Sequence, residues 1–394
     1  MRIAQIHYAA PPIVGGVERI IEQQSRLLLR HGHEVVVCCG NRDAAIPGVE
    51  TRVVPALAAN PTAMAAGAGD FALLCEMLST CDLAIVHNMF TMPFHWAASE
   101  HLAALSQIQD KTQWWNWVHD VDVSTEAFQA LDLRAVHVAV SQVRQREFCA
   151  MAKLSRTQCQ VIPNGLDALE TLGVSPEVAL WAEEHRLLQR DIVLFQPARV
   201  LARKNLEAGI RVIEALRRDE GRDAVLVLTG APDPHRASSA AYAQNVVELI
   251  AQLGLQKEVL FAGAAFQVTH ARLTELYSLA DALFFPSLRE GFGLPLVEAS
   301  LHRLPVFCSD LPIHREVLGR GACFLDLMAE PPVHAATIVK QLDRDPVLRR
   351  RKKLLRRYAW EAIYEHHLAP LLRSLGPLPV LTCDTFASNP VSPA

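Results

Sequence analysis

The chain has 394 residues, which is long for a single hydrophobic core and fits two domains of ordinary size. Hydrophobic residues make up 51% of the sequence and charged residues 20%, the balance of an ordinary globular interior. The net charge of −4 provides no general attraction to nucleic acid, and no run of about 18 uncharged apolar residues is present to span a bilayer.

The cysteines and the N-terminus both bear on the cellular compartment. Nine cysteines are scattered without a CxxC pair, which favours free thiols over disulfides or metal ligation. Met1 leads directly into an apolar strand pattern, without the apolar segment and cleavage site of a signal peptide. These features predict a cytoplasmic protein.

Apolar runs in the first half alternate with helical patterns, as in a parallel sheet that is covered on both faces. The first strand is predicted over residues 3–8, followed by a Pro/Gly loop over 9–16 and a helix over 17–30. Further strands are predicted over residues 35–39, 83–86, 114–118, 136–140 and 159–162. A turn over 163–167 closes a first domain of residues 1–166.

A linker over residues 167–190 precedes a second half with the same pattern. Strands are predicted over residues 192–195, 224–228 and 259–261, near Phe284, and over 306–308 and 322–324. Helices are predicted over residues 205–218, 240–253, 273–280 and 296–304. The predicted fold class is therefore α/β, with two Rossmann-like, doubly wound domains facing across a cleft. The second domain spans 191–357, and a final helix over 358–376 and a disordered tail over 377–394 follow it.

Residues 287–298 form the most informative segment, because a glycine-bearing loop there joins a buried strand to a helix. Such a loop holds phosphate, since backbone N–H groups and the positive end of the helix converge on an anion. Glu290 in the loop and Glu298 in the helix suit vicinal hydroxyls, one set on a hexose and the other on a ribose. The segment favours a nucleotide-sugar site. The alternative is a turn before an amphipathic helix, with two solvated glutamates.

Five short motifs, in a fixed order and each at a strand or helix boundary, resemble those of the retaining glycosyltransferases of family 4. That family has the two-Rossmann-domain architecture called GT-B. The motifs lie at residues 15–18, 119–120, 162–167, 199–204 and 290–298, and the resemblance extends to Trp360. It implies transfer of a hexose from a nucleotide-sugar to an acceptor hydroxyl with retention of configuration. It also implies that the final helix crosses back to the first domain.

The resemblance assigns catalytic roles to His119, Arg199, Lys204 and Glu290. Arg199 and Lys204 would grip the donor diphosphate, whose charge grows as it leaves in the transition state. Glu290 would contact hydroxyls of the donor sugar, and His119 would lie beside the reacting sugar. Arg203, one residue before Lys204, is a competing candidate for the phosphate.

Donor binding is assigned by the same resemblance to backbone at glycines and to a second carboxylate. The residues are Gly15, Gly16, Gly230, Gly291, Phe292, Gly293, Leu294 and Glu298. Glu298 would bind the ribose, and the base is expected near Gly230. The family pattern has glycine where this chain has Ala198 and Asn205, which leaves the local backbone conformation to be established.

No metal and no cofactor beyond the co-substrate is expected. Asp120-Val121-Asp122 has the form of a DxD metal motif, but that motif belongs to glycosyltransferases with one Rossmann domain. UDP-glucose and GDP-mannose are the leading candidate donors. The acceptor is expected to be a sugar, a small polar molecule or a lipid-linked molecule, and no nucleic-acid partner is expected.

Two further segments each allow two interpretations. The basic run over residues 349–357 favours a solvated helix face, because Leu348, Leu354 and Leu355 give it a narrow apolar stripe. The alternative is contact with nucleic acid or peripheral contact with anionic lipid at the inner face of the membrane. His87-Asn88 ends a strand, where it either lines the acceptor site or has a structural hydrogen-bonding role.

Other functions are less well supported. A nucleotide-sugar epimerase would need acid and base groups on both sides of C2 of the sugar, and the sequence identifies no such set. A non-catalytic sugar-nucleotide-binding protein is a second alternative, although the complete charged set argues against it. A dinucleotide oxidoreductase is disfavoured, because Gly15-Gly16 is not a GxGxxG fingerprint and the second strand ends without an acidic residue.

Overall fold

The computed structural model describes residues 1–11, 15–41, 46–60, 68–230 and 237–375. The chain divides into two compact units. Unit 1 comprises Met1–Leu166 and the segment that begins at Tyr358, and unit 2 comprises Asp167–Arg357. The predicted tail, 377–394, lies outside the described residues. Cysteines in the described part of the chain are free thiols.

Unit 1 is built on a seven-stranded parallel sheet in the order β3-β2-β1-β4-β5-β6-β7. The strands are β1 (Arg2–Ala9), β2 (Glu34–Asn41), β3 (Glu50–Val53), β4 (Leu83–His87), β5 (Gln113–Val118), β6 (Val136–Ala139) and β7 (Cys159–Val161). The helices that precede unit 2 are α1 (Gly16–Arg30), α2 (Ala68–Leu78), α3 (Trp96–Ile108), α4 (Thr125–Ala130) and α5 (Gln142–Ala152). Separate apolar clusters cover the two faces of the sheet, so its central strands are buried and apolar throughout.

Unit 2 contains a six-stranded parallel sheet in the order β10-β9-β8-β11-β12-β13. The strands are β8 (Ile192–Gln196), β9 (Ala224–Leu228), β10 (Val259–Phe261), β11 (Ala282–Phe285), β12 (Val306–Ser309) and β13 (Cys323–Leu325). The helices are α6 (Ala168–Thr171), α7 (Pro176–Glu184), α8 (Leu206–Arg218), α9 (Ala237–Gln252), α10 (Ala262–Ala265), α11 (His270–Leu279), α12 (Leu294–Leu301), α13 (Pro312–Leu318), α14 (Pro331–Arg344) and α15 (Pro346–Tyr358). This strand order is the Rossmann order, which confirms the predicted fold class of two doubly wound α/β units.

The strand order of each sheet reverses beside its first strand. In unit 1 the reversal lies between β1 and β4, and in unit 2 it lies between β8 and β11. At such a switch point the loops that follow the two strands diverge to opposite faces and leave a crevice for a ligand. Each unit therefore has one location where the fold favours a binding site.

The segment predicted as a linker, 167–190, folds as part of unit 2. Leu169 of α6 and Trp181 of α7 lie in the same apolar cluster as Phe195 of β8. The charged residues of the segment lie on the outer side of these short helices, where they mask the amphipathic pattern in the sequence. The second unit thus begins at residue 167 rather than at 191.

After α15 the chain returns to unit 1 through α16 (Trp360–Ile363), a π-helix (Tyr364–Leu368) and α17 (Ala369–Ser374). Trp360 is buried, and its Nε1 donates a 2.8 Å hydrogen bond to Oε1 of Gln23 on α1. Gly165 is required beside it, because a Cβ at that position would lie 2.2 Å from the indole ring. The final segment is therefore an integral part of the unit 1 core.

The basic helix α15 is held to unit 2 by several of its cations. Lys352 Nζ lies 2.6 Å from Oδ2 of Asp281, a side chain that is only 1% exposed. Arg351 donates to the carbonyls of Ser278 and Ala280 at 2.7 and 3.2 Å, and Arg356 pairs with Asp191. These contacts give the basic run a structural role within unit 2. Among the described residues, no helix is long and apolar enough to cross a membrane.

Replacing Lys352 by Met should destabilise unit 2 by about 3 kcal/mol, because it leaves the buried Asp281 carboxylate without its cation. The carboxylate also accepts a 2.8 Å bond from the amide of Val193, so it cannot turn outward without breaking the β8 end of the sheet. Urea denaturation of the two proteins measures the difference. Lys353→Met, at the exposed next position of the same helix, is the matched control and should change stability little. Equal losses in both variants would contradict a specific role for the buried pair.

Candidate active site

The central feature of unit 2 is an ion pair between two loops at its switch point. Lys204 follows β8 and Glu290 follows β11, and Lys204 Nζ lies 2.5 Å from Oε1 of Glu290. The two side chains are only 12% and 8% exposed. Arg203 Nη1 is 3.4 Å from the same carboxylate oxygen, while its own side chain is largely exposed. Two of the candidate catalytic residues are therefore in direct contact, with the competing candidate Arg203 beside them.

The pair is positioned by backbone contacts between the loops. Lys204 ends a 3₁₀ turn, Ala202–Lys204, whose carbonyl at 204 accepts from Gln196 Nε2 at 2.9 Å. Asn205 follows with φ 51° and ψ 57°, and its side chain donates to the Pro286 carbonyl at 3.2 Å. Asparagine tolerates this left-handed conformation, which glycine also adopts. The replacement of the usual glycine by Asn205 therefore preserves the turn and adds a link to the second loop.

Glu290 is held in its ionised form. Burial alone would raise the pKa of this carboxyl, but the hydrogen bond from Lys204 and the charges of Lys204 and Arg203 outweigh burial and lower it. A buried, hydrogen-bonded carboxylate differs from the solvated glutamate of the alternative interpretation. It offers acceptor oxygens in a fixed place.

The glycine loop provides backbone donors next to this carboxylate. Gly293 precedes α12 with φ 89°, and a Cβ there would lie 2.9 Å from Cδ1 of Leu296. Within the part of the chain that the structure describes, the amides of residues 291–294 donate no hydrogen bond. Phe292 and Leu294 are 52% and 62% exposed, so the loop projects its apolar side chains outward. These amides, at the start of a helix, are suited to bind an anion or a hydroxyl.

Glu298 lies on α12 and has a partner that the sequence did not indicate. Tyr277, on α11, is buried and donates from Oη to Oε2 of Glu298 at 2.8 Å. Burial, and then the hydrogen bond to Glu298, raise the pKa of Tyr277 far above its ordinary value, so the phenol stays protonated and remains a donor. The His302 ring stacks on the tyrosine ring, and the two ring centroids are 5.1 Å apart. Tyr277 therefore fixes one oxygen of Glu298 and leaves the other available.

Arg199 and Gly230 lie on adjacent loops but do not join the ion pair. Gly230 donates from its amide to the Ala198 carbonyl at 3.0 Å, and a Cβ on Gly230 would lie 2.9 Å from Cα of Arg199. The glycine thus permits close approach of the two loops. Arg199 is exposed and makes no hydrogen bond or ion pair with any described residue. The structure therefore places Arg199 near the Lys204–Glu290 pair as an exposed cation.

In unit 1, His119 follows β5 and is held at both its backbone and its ring by the end of β4. Asn88 Oδ1 accepts from the amides of His119 and Asp120 at 2.7 and 3.0 Å. Nδ1 of His87 lies 3.0 Å from Nε2 of His119. His87-Asn88 therefore has the structural hydrogen-bonding role that was one of its two interpretations. Asp120 itself is paired with Arg144 at 2.8 Å.

A second histidine, His7 at the end of β1, lies close to this pair. Its Nδ1 donates to the His87 carbonyl at 2.9 Å, and its Nε2 is 3.7 Å from Oε1 of Glu18 in the first turn of α1. Gly15 and Gly16 are the N-cap and first residue of α1, and a Cβ on Gly15 would meet the Glu18 carboxylate at 2.0 Å. Residues 12–14, which complete the predicted loop, lie outside the described residues. His7 and Glu18 were not predicted as site residues.

Three histidines of unit 1, His87, His119 and His137, are kept neutral. Burial lowers the pKa of His119 to about 3, with His7 acting in the same direction and Glu18 opposing it. Burial, followed by the charges of His119 and His7, lowers the pKa of His87 well below its ordinary value. Burial lowers the pKa of His137 on β6 to about 4. In the described ranges no group of three or more His, Cys, Asp or Glu side chains could hold a metal ion.

The chain is similar to several known proteins. Over 85 residues it is 39% identical to the O-antigen chain mannosyltransferase RfbU of Salmonella typhimurium, covering 22% of this chain and 23% of that relative's length. Over 355 residues it is 22% identical to the mannosylglucosylglycerate synthase of Thermotoga maritima, covering 78% and 80%. The crystal structure of Anabaena HepE in complex with UDP is 20% identical, with a TM-score of 0.40, and the match covers 95% of this chain and 100% of that one.

Two family models match the two units in turn. Residues 14–169 match the model described as Glycosyltransferase Family 4, and residues 179–352 match the model described as Glycosyl transferases group 1. Together they span most of the chain. The chain belongs to this family of GT-B glycosyltransferases, which confirms the resemblance seen in its motifs.

The lowered pKa values of His87, His119 and His137 predict a loss of stability as the pH falls. Their folded pKa values lie below the ordinary value of 6.5, so the unfolded chain binds protons more readily. Stability should be complete above pH 6.5 and decline below it, by about 1.4 kcal/mol per pH unit for each histidine. Urea denaturation between pH 7 and pH 5 tests this slope while carboxylates stay ionised. His137→Asn should reduce the slope by the contribution of about one proton. A free energy of unfolding that does not change with pH in the parent protein would exclude the effect.

Gly293→Ala should destabilise unit 2 by about 1–3 kcal/mol and displace the start of α12, because residue 293 has positive φ and no space for a Cβ. Gly291→Ala is the matched control two residues earlier, where nothing lies within 4 Å of the added atom. Thermal unfolding should separate the two variants. If both unfold at the same temperature, the left-handed turn at Gly293 is not required.

Proposed function

We propose that the protein transfers a hexose from a nucleotide-sugar to an acceptor hydroxyl with retention of configuration. The observation that carries the proposal is the buried Lys204–Glu290 pair beside the amides of residues 291–294, which donate to no residue that the structure describes. Family membership supports glycosyl transfer. This site supports an anionic donor that also carries hydroxyl groups.

The donor diphosphate would be bound by the loop after β8. This loop carries three cations, at 199, 203 and 204, against the single carboxylate of Glu290. The excess of positive charge suits a diphosphate, and it becomes more favourable as the bond to the sugar breaks and the leaving group gains charge. Lys204 is fixed before the donor arrives, so it needs little reorganisation.

The sugar and ribose would be bound by the loop after β11 and by α12. Ionised Glu290 would accept hydrogen bonds from hexose hydroxyls, and the amides of residues 291–294 would donate to sugar or phosphate oxygens. Glu298 would accept from the ribose diol through the oxygen that Tyr277 leaves available. Gly230 would support the base-binding region by allowing its loop to lie close to Arg199.

The proposed reaction occurs on one face of the sugar. The bond from C1 to the phosphate oxygen breaks, the acceptor oxygen attacks C1 from the same side, and the acceptor proton passes to the departing diphosphate. This scheme needs no protein nucleophile, and Glu290 is committed to Lys204 at 2.5 Å. The protein would contribute position and charge stabilisation.

The choice of donor is a proposal from chemistry and from relatives. Both UDP-glucose and GDP-mannose fit an anion-binding loop followed by a hydroxyl-binding carboxylate. The names of RfbU and of the Thermotoga maritima protein refer to mannose, which favours a mannosyl donor. The aligned segment spans less than a quarter of RfbU, so the acceptor is not assigned from it.

The direct test is incubation with UDP-glucose or GDP-mannose, with and without a panel of sugar, small polar and lipid-linked acceptors. Release of nucleoside diphosphate that is accelerated by an acceptor, with an α-linked product from an α-linked donor by NMR, would support the proposal. Conversion of the donor to its epimer without acceptor would favour the epimerase instead. Tight nucleotide binding without turnover of any donor and acceptor pair would favour a binding protein.

Lys204→Met should weaken binding of the preferred nucleoside diphosphate at least tenfold, about 1.4 kcal/mol or more, and should lower turnover about a hundredfold or more. The larger effect on turnover is expected because the cation stabilises the leaving group most in the transition state. Isothermal titration calorimetry and initial rates measure the two quantities. Lys340→Met, an exposed lysine on α14 of the same unit, is the matched control and should leave both unchanged. Unchanged binding and turnover in Lys204→Met would exclude this site.

A further inference from the structure

His87, at the carboxyl end of β4, is fully buried and is hydrogen-bonded at both ring nitrogens. Nε2 lies 3.1 Å from Oε1 of Gln5 on β1, and Nδ1 lies 3.0 Å from Nε2 of His119. A neutral imidazole has one donor nitrogen and one acceptor nitrogen. One of these two hydrogen bonds is therefore donated by the His87 ring, and the other is accepted by it.

The Gln5 amide determines that direction. Its Nε2 lies 3.3 Å from the backbone carbonyl of Ile21 and 2.6 Å from Oγ of Ser25, both on α1. A backbone carbonyl can only accept, so the Gln5 nitrogen must face α1 and its oxygen must face His87. The side chain cannot be turned over without placing two acceptors against each other.

The remaining protons follow from this anchor. Gln5 Oε1 accepts, so Nε2 of His87 donates to it. Nδ1 of neutral His87 then carries a lone pair and accepts from Nε2–H of His119. Because His119 is also neutral, its proton is on Nε2, and Nδ1 of His119 carries a lone pair. Nδ1 makes no hydrogen bond with any residue that the structure describes.

Within the described ranges, no charged side chain is hydrogen-bonded to these ring nitrogens of His87 and His119. His7 donates to the backbone carbonyl of His87 rather than to its ring, and Glu18 faces His7. The backbone of His119 is held separately by Asn88 at 2.7 Å. The orientation of the His119 backbone and the tautomer of its ring thus depend on different neighbours.

We infer that His87, aligned by Gln5, is a positioning residue that holds His119 as its Nε2–H tautomer, so that Nδ1 of His119 accepts a hydrogen bond from a substrate hydroxyl. The substrate part of this inference rests on the proposed glycosyl transfer. The tautomer is independent of it, and it can be observed in the protein without any ligand.

The test is long-range ¹H–¹⁵N correlation NMR on the full chain labelled with ¹⁵N-histidine, with His119 assigned by its loss in His119→Asn. In the parent protein at pH 7, His119 should show the pattern of a neutral Nε2–H ring. In Gln5→Leu, His87 is no longer aligned, and His119 should become a mixture of the two tautomers. In His87→Leu the acceptor for His119 is lost and the same mixture is expected.

His137→Gln is the matched control, because His137 is a histidine of the same sheet that lies outside the chain of hydrogen bonds. It should leave the His119 pattern unchanged. An Nδ1–H ring in the parent protein would overturn the inference, even if both variants failed to fold. An unchanged Nε2–H ring in folded Gln5→Leu and His87→Leu would overturn it too.

Turnover separates this inference from the proposed function. If transfer is observed, Gln5→Leu should lower donor turnover at least tenfold while affinity for the nucleoside diphosphate, which Lys204 is proposed to bind, changes less than twofold. Unchanged turnover together with a changed tautomer would overturn the substrate part. If the parent protein shows no transfer with any donor, the proposed function is contradicted. The NMR spectrum alone still decides the tautomer of His119.

Discussion

The ion pair between Lys204 and Glu290 joins two loops whose residues are 86 positions apart in the chain. They meet because β8 and β11 are neighbours in the sheet, although four α-helices and two strands separate them in sequence. Burying two opposite charges has a desolvation cost, which their mutual hydrogen bond offsets only in good geometry. The turn at Asn205 and the contacts to Pro286 and Gln196 supply that geometry, so much of the local backbone serves to hold this one contact.

The extent of burial explains which parts of the fold were predictable from the sequence. Strands such as residues 192–195 and 306–308 are continuous apolar runs, because both of their faces are covered, and the sequence identified them. Strand β3 was missed because its four residues, Glu50–Val53, are mostly exposed at the edge of the sheet and carry no apolar run. The 167–190 segment was taken for a linker because the helices α6 and α7 are short and their glutamates are exposed, so their apolar pattern is brief. In each case the error arose where burial is partial.

The site was predictable only where it consists of consecutive residues. The glycine loop and the cations lie in short contiguous motifs, and the sequence located them. Gln5 and Tyr277 were missed because their partners, His87 and Glu298, lie 82 and 21 residues away in the chain. One local signal was present for Gln5, since it alternates with His7 on an otherwise apolar strand and so lies on the same face. Two polar residues two positions apart in a buried strand, such as Gln5 and His7, indicate that this face of the strand contacts other polar groups.

The return of the chain to unit 1 affects the order in which the molecule can be built. Ile363 and Leu368 lie in the same apolar cluster as Ile3 and Val37 of the first strands. During synthesis this cluster stays incomplete until residues 360–372 have left the ribosome, whereas unit 2 is contiguous and has all its residues earlier. The unit made first is thus completed after unit 2, and until then the nascent chain exposes the apolar residues of unit 1 that this segment covers.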